Sequence, residues 1–429
     1  MSVTAVAPAW TSIAQRRATP AATAAATPFH PLIRGALYLF VASLPFEYPG
    51  RSIPLEVTTI TGCVFLLTTL IQPVRCFGRT PAALWCFAAF LYFFWVSFAI
   101  GGGAYPNEAL KSFTAFLLLM LVFWAASNLL RDVRVSAGAL LTLGIASAVL
   151  ALLTVGGAVR LDPDWVKDSG RVTLLGQNAN RAGLILGSGA LALVGLAYAR
   201  ERPLFRPRFF VWPMLAVIGL AMLQGASRGS LLALVVGLWT FTVGGRTIVA
   251  NLRNALIALC AVGLLAWAGW QLPLTRARFH RVEQLDLSGR EEILPAAVGM
   301  VLERPLSGWG PSQNKYELGY RLPQQAHERR DTHNLVLEVL TSTGLLGGVP
   351  FLLGVGLCIW GAWKSRRGAD GILPFAMAAA VLTANMSSNY IAFKLFWLVL
   401  AYGSAAGSRI AGRPDSPPSP TRVRGPRSC

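Results

Sequence analysis

Three observations predict an all-α, polytopic membrane protein with about twelve transmembrane helices and one large, partly helical outer loop. The chain is 54% hydrophobic and 13% charged, with mean hydropathy +0.53, a composition that a soluble chain of this length does not carry. Its apolar residues come in long runs with few or no charges, the signature of membrane-crossing helices. Its basic residues recur in every second gap between those runs, the positive-inside pattern.

The runs place spans near 32–47, 53–72, 82–100, 112–130, 135–156, 180–199, 209–225, 230–244, 252–271, 345–363, 371–388 and 391–408. Arg16, Arg17 and Arg34 lie at or before the first span. Arg75 and Arg79 follow the second, Arg131 and Arg134 the fourth, and Arg200, Arg202, Arg206 and Arg208 the sixth. Arg246 and Arg253 flank the gap after the eighth, Lys364, Arg366 and Arg367 follow the tenth, and Arg409 and Arg413 follow the twelfth. This alternation predicts an even number of spans with both termini in the cytoplasm. It also accounts for the net charge of +19 without nucleic-acid binding, because the basic residues form short clusters between spans.

The expected organisation is a disordered cytoplasmic tail over 1–28, nine spans over 29–271, an outer loop over 272–344, three spans over 345–408, and a disordered basic cytoplasmic tail over 409–429. Residues 1–28 are rich in Ala, Thr and Pro and lack the long apolar core of a cleaved signal peptide. The six cysteines are scattered and form no CxxC, so neither a zinc site nor a disulfide framework is indicated.

Chemistry concentrates on the outer side. One outer segment ends in 176-GQNANRAG-183, a second is the short turn 225-GASRGS-230, and the third is 272–344. Arg228 stands in that turn between two apolar runs, where basic charge is unfavourable without a partner; snorkelling to interfacial phosphates is the alternative. Arg290 opens a predicted amphipathic helix over 290–302, where pairing with Glu291 or Glu292 is the simpler reading. The basic and acidic residues of the long loop nearly balance, which predicts a folded loop with internal ion pairs. His333 is one of only four histidines. It precedes an apolar run over 335–346 that reads as a helix capped by Asp331 or Thr332. It can be read as a capping side chain, as a metal ligand with His327, Glu328 and Asp331 (a spacing that matches no zinc motif), or as a general base with an unperturbed pKa near 6.5. Arginine forks match phosphate oxygens, so two outer arginines and a histidine outline a site for an anionic substrate.

In chain order, 176-GQNANRAG, the SRG at Ser227–Gly229, 289-GR through RPLSGWG-310, and 333-HNLVLEVLTSTGLLG-347 resemble the O-antigen ligase/polymerase superfamily of bacterial envelope glycan enzymes. The resemblance covers roughly 176–347, and its last segment is the most specific. It implies a multi-pass protein of the bacterial inner membrane whose active site faces the periplasm. The implied reaction moves a glycan from an undecaprenyl-diphosphate donor to a sugar hydroxyl, in the ligase a hydroxyl of lipid A–core. Inversion at the anomeric carbon, no cofactor and no metal are implied as well. Carried over residue by residue, Arg228 and Arg290 match the diphosphate-binding arginines and His333 the proposed base. Asn178, Asn180 and Arg181, with Asn334 beside the histidine, match positions that bind substrate or shape the site. The family often has Asn-Pro-Asn where this chain has Asn178-Ala179-Asn180. Chain polymerase and protein O-oligosaccharyltransferase share the motifs; the single dominant outer loop and the basic chain favour the ligase. A lipid-linked glycan transporter or flippase would share the spans, but it calls for internal repeats, and none is evident.

Overall fold

The computed structural model describes residues 28–47, 56–157, 178–198, 208–244, 247–272, 276, 290–322 and 329–411. Residues 1–27 and 412–429 of the expected tails, residues 158–177 and 277–289 of the outer segments, and His327 and Glu328 lie outside the described residues. Within them the regular structure is helical, with no strand. The helices are α1 (Pro31–Ser43), α2 (Val57–Thr69), α3 (Pro73–Phe77), α4 (Ala82–Ile100), α5 (Pro106–Leu129), α6 (Val133–Val155), α7 (Ala179–Tyr198), α8 (Val211–Gly225), α9 (Arg228–Thr240), α10 (Ile248–Gln271), α11 (Arg290–Glu303), α12 (Gln313–Arg321), α13 (Leu335–Lys364), α14 (Leu373–Asn385) and α15 (Lys394–Ala411).

Each of the twelve expected spans overlaps a helix, but the helices differ in reach. Six of those described, α4, α5, α6, α7, α10 and α13, are long and apolar enough to cross a membrane. The apolar helices Pro31–Phe46, Val57–Thr69, Val211–Gly225, Arg228–Val243 and Leu373–Asn385 are shorter. α5 starts at Pro106, not near 112. Pro106 sits in the first turn, where its missing N–H costs nothing, and the polar Asn107, Glu108 and Lys111 extend the helix beyond its apolar stretch.

The centre of the bundle lies where α4, α5, α13 and α15 meet. Phe87 packs edge-on to Trp397 with ring centroids 4.9 Å apart, and Phe90 lies 5.0 Å from Phe351. Around this centre α9 packs on α14, and α6 on α7 and α8. The two ends of the bundle differ. At one end Trp124 and Asn128 donate to the Arg79 carbonyl at 3.0 and 2.9 Å, and Arg409 pairs with Asp370. α7, α9, α11 and α13 begin at the other end.

α13 contains a break. Gly344 has φ 58 and ψ −159, a conformation open to glycine alone, and the helix ladder is interrupted there. The segment 305-PLSGWG-310 replaces the lost bonds. Trp309 and Gly310 N–H groups donate to the Thr341 and Ser342 carbonyls at 2.8 and 3.0 Å, while Leu345 and Leu346 donate to Pro305 and Leu306 at 2.8 and 3.0 Å. An interrupted buried ladder must find such partners. The splice sets the angle of the first two turns of α13, at whose mouth His333 stands.

Candidate functional site

Four helix N-termini meet around the eight-residue loop 386-MSSNYIAF-393 between α14 and α15. At the start of α9, Ser227 caps the helix by accepting from Ser230 N at 3.3 Å and donates its hydroxyl to Asn180 Oδ1 at 2.7 Å. Asn180, in the first turn of α7, also donates to Ser388 Oγ at 3.5 Å, and its carbonyl accepts from Ser230 Oγ at 2.7 Å. Gly229 leaves room for the loop, since a Cβ there would lie 2.5 Å from Ser387 Oγ. Arg290, the first residue of α11, donates to the Ser387 carbonyl at 2.8 Å. Asn334, the N-cap of α13, donates to the Met386 carbonyl at 3.4 Å. Helix N-termini carry partial positive charge and inward-facing N–H groups, so this arrangement favours an anion.

The cap of α13 is Asn334, not Asp331 or Thr332: its Oδ1 accepts from Val336 N at 3.0 Å and Leu337 N at 3.1 Å. His333 therefore does not complete the cap. Its backbone lies in the left-handed region, φ 52, which costs a non-glycine residue roughly 1–2 kcal/mol. Bonds on both sides hold it there. Buried Glu338 accepts from Thr332 N at 3.3 Å and lies 3.1 Å from the Thr332 hydroxyl, which donates to the Asn334 carbonyl at 2.9 Å. Asn314 on α12 donates to the other Glu338 oxygen at 3.3 Å, and Lys315 pairs with Asp331 and lies 3.5 Å from Glu338. The outer segment also holds internal ion pairs, Arg321 with Glu303 at 2.6 Å and with Glu317 at 2.8 Å.

His333 opens onto a cleft of about 1320 Å³. Its mouth is polar: Asp331, His333, Asn178, Arg181, Asn389, Tyr390, Lys394, Glu47, Glu56 and Lys111. Its depth is the facing sides of α2 (Val57, Gly62, Leu66) and α5 (Thr114, Leu118, Val122). Arg228 and Arg290 are not in its wall. Arg290 is tied to Ser387, immediately before the Ser388–Tyr390 stretch that is. Arg181 and Lys394 share one carboxylate: Glu47, 2% exposed, pairs with Arg181 and, at 2.7 Å, with Lys394, which also meets Glu56 at 2.9 Å. The Arg181 guanidinium lies 4.5 Å from the Phe393 ring.

The electrostatics separate these groups. Burial lowers the Arg290 pKa, and the nearby positive charge of Arg228 lowers it further. Burial likewise holds the His333 imidazole below its ordinary value; Arg290 and Arg330 act in the same direction, against Asp331 and Glu338. The lowered pKa favours the neutral imidazole, the form that accepts a proton. Burial would raise the Glu47 carboxyl, but Arg181 and Lys394 overcome it and hold it at about 2. Burial raises the Tyr390 phenol to about 12. Among the described residues no three His, Cys, Asp or Glu side chains group as a metal site.

The structure thus brings Arg290 within electrostatic reach of both Arg228 and His333, makes Asn180 and Asn334 clamps on the 386–393 loop, and puts Asn178 and Arg181 in the cleft wall. Sequence reading missed that loop, whose ends fell inside the expected spans 371–388 and 391–408. It also missed Glu47 and Lys394. A signal existed in the polar run 385-NMSSN-389, which hydropathy averaging merges into its apolar flanks.

The apolar helical bundle points to a multi-pass membrane protein, and the helix N-termini around the 386–393 loop mark a candidate site at one end. Residues 213–352, about a third of the chain, match the family model described as O-antigen ligase. No curated protein matches the chain. The matched segment contains Arg228, Arg290, His333 and Asn334; Asn178, Asn180, Arg181 and the 386–393 loop lie outside it.

Proposed function

We propose that the chain is an O-antigen ligase, a metal-independent inverting glycosyltransferase of the bacterial inner membrane with about twelve spans and its site on the periplasmic side. The donor is an undecaprenyl-diphosphate-linked glycan and the acceptor a sugar hydroxyl of lipid A–core. The observation that carries this reading is Arg290 standing within electrostatic reach of both Arg228 and His333, where four helix N-termini meet beside a cleft lined by α2 and α5. A lipid-borne diphosphate requires two environments, arginines beside the cleft for the phosphates and apolar helix surface within it for the lipid.

His333 takes the proton of the acceptor hydroxyl as its oxygen attacks the anomeric carbon from the side opposite the diphosphate. The new C–O bond forms, the bond to the phosphate oxygen breaks, and the diphosphate leaves with the electron pair. Arg228, Arg290 and the surrounding N–H groups stabilise the charge that grows on it. Preorganised donors of this kind are worth about 10²–10³ in rate each. The imidazolium then returns its proton to water.

The test is a deletion strain complemented with variants. Loss of all long glycan from lipid A–core with accumulation of lipid-linked polymer is the ligase outcome, whereas a single repeat still attached identifies a polymerase. His333→Ala is expected to lower ligation about 10²–10⁴-fold; wild-type ligation by that variant rejects the base assignment.

A further inference from the structure

Next to the cleft-lining residues Asn107 and Lys111 stands a feature that the reaction above does not use. Tyr105 precedes α5 with φ 57 and makes no capping bond with its side chain. A bulky residue in the left-handed region is an outlier, and such outliers concentrate at functional sites. The turn that presents it is tightly built. Gly102 and Gly103 also have positive φ, 96 and 67. A Cβ on Gly101 would lie 2.5 Å from the Trp309 carbonyl oxygen, in the segment that splices α13. The Tyr105 ring stacks on Tyr316 of α12 at 4.0 Å and 13°, yet Tyr105 remains 38% exposed. Polar groups stand beside the pair: Glu108 accepts from the Tyr316 hydroxyl at 2.8 Å and meets Arg329 at 3.3 Å. Asn107 and Lys111, on the same first turns of α5, line the cleft with Asp331 and His333.

We propose that Tyr105, backed by Tyr316, is a sugar-stacking platform beside the cleft, taking one pyranose ring of a glycan that enters the site. An aromatic face is electron-rich, and a pyranose offers it a face of polarised C–H groups. The hydroxyls around that sugar's edge need hydrogen-bond partners, which Glu108, Arg329 and Asn107 can supply. Tyr316 stiffens the platform, so little freedom is lost when a sugar docks. This inference rests on the glycan-transfer reading for its ligand. The same chemistry comes from two sources, the donor glycan or the core oligosaccharide of the acceptor.

The experiment measures binding, without transfer, to the full-length protein in nanodiscs. The probes are the polysaccharide and the core oligosaccharide released by mild acid from the host's own lipopolysaccharide. Tyr105→Phe and Tyr105→Trp keep a ring face and are expected to bind like wild type. Tyr105→Leu and Tyr105→Ser are expected to weaken binding about three- to tenfold, the scale of one aromatic stacking contact, with thermal unfolding monitored for each. The probe whose affinity falls identifies the source. Unchanged affinity for both probes in the Leu and Ser variants overturns the platform, as does equal loss in Tyr105→Phe or no binding of either probe to wild type. A chain that binds glycan through Tyr105 but transfers none keeps the platform and rejects the ligase. A chain that ligates normally while Tyr105→Leu binds unchanged does the reverse.

Discussion

Two groups of buried charge stand near the same loop and differ in how they are balanced. At the start of α15, Lys394 and Arg181 close on Glu47, with Glu56 completing a neutral set of two cations and two carboxylates. At the starts of α9 and α11, Arg228 acts on Arg290 as one cation on another, and Arg290 bonds to a carbonyl, Ser387 O. The first arrangement satisfies itself and joins α1, α7 and α15. A buried charge set that closes on itself reads as architecture, and one in which two cations face each other beside helix N-termini is a candidate ligand site.

The largest expected effect that tests this contrast is on stability. Glu47→Gln leaves Arg181 and Lys394 without their shared carboxylate and is expected to cost about 3–5 kcal/mol, the range for breaking a buried pair, read by thermal unfolding in detergent. Because the folded carboxyl sits at about 2 against an ordinary 4.5, its contribution is complete above about 4.5 and is lost as pH falls through 2. A Glu47→Gln protein that melts like wild type but no longer ligates would move this cluster into the ligand site and break the contrast. Arg290→Gln is expected to do the opposite, lowering transfer about 10²–10³-fold while unfolding stays near wild type.

Smaller effects sharpen the geometry. Asn334→Ala removes the cap of α13 and a bond to the 386–393 loop, an expected loss of about 1 kcal/mol, measurable by denaturation. Asp331→Asn removes a carboxylate that raises the His333 pKa. The imidazole then loses its proton at lower pH, so the acid limb of the pH–rate profile moves to lower pH. A shift to higher pH would show that Asp331 acts on some other group.

The helical class and the approximate position of the apolar helices were legible because hydropathy is a local property of the chain, and Arg228, Arg290 and His333 stood out as polar residues beside apolar runs. The cap of α13 was not, since Asp331, Thr332 and Asn334 are all good capping residues. Only the bonds from Thr332 to Glu338 commit that hydroxyl elsewhere and leave the cap to Asn334. RPLSGWG was legible as a motif but not as a splice, because its partners are N–H and carbonyl groups about thirty-five residues away that the break at Gly344 exposes.

Burial shows the division most clearly. α10 has the higher mean hydropathy, 1.9, and its membrane-length window is 6% buried; α7, at 1.4, is 83% buried. Lipid and protein interior are both apolar, so side-chain character does not tell them apart. By itself the sequence determined which segments are apolar and helical and where charge is concentrated between them, because both are properties of local stretches. Only the tertiary structure decided which helices form the centre, that 386–393 is a loop, and that four helix N-termini meet there. Those outcomes depend on contacts between residues far apart in the chain.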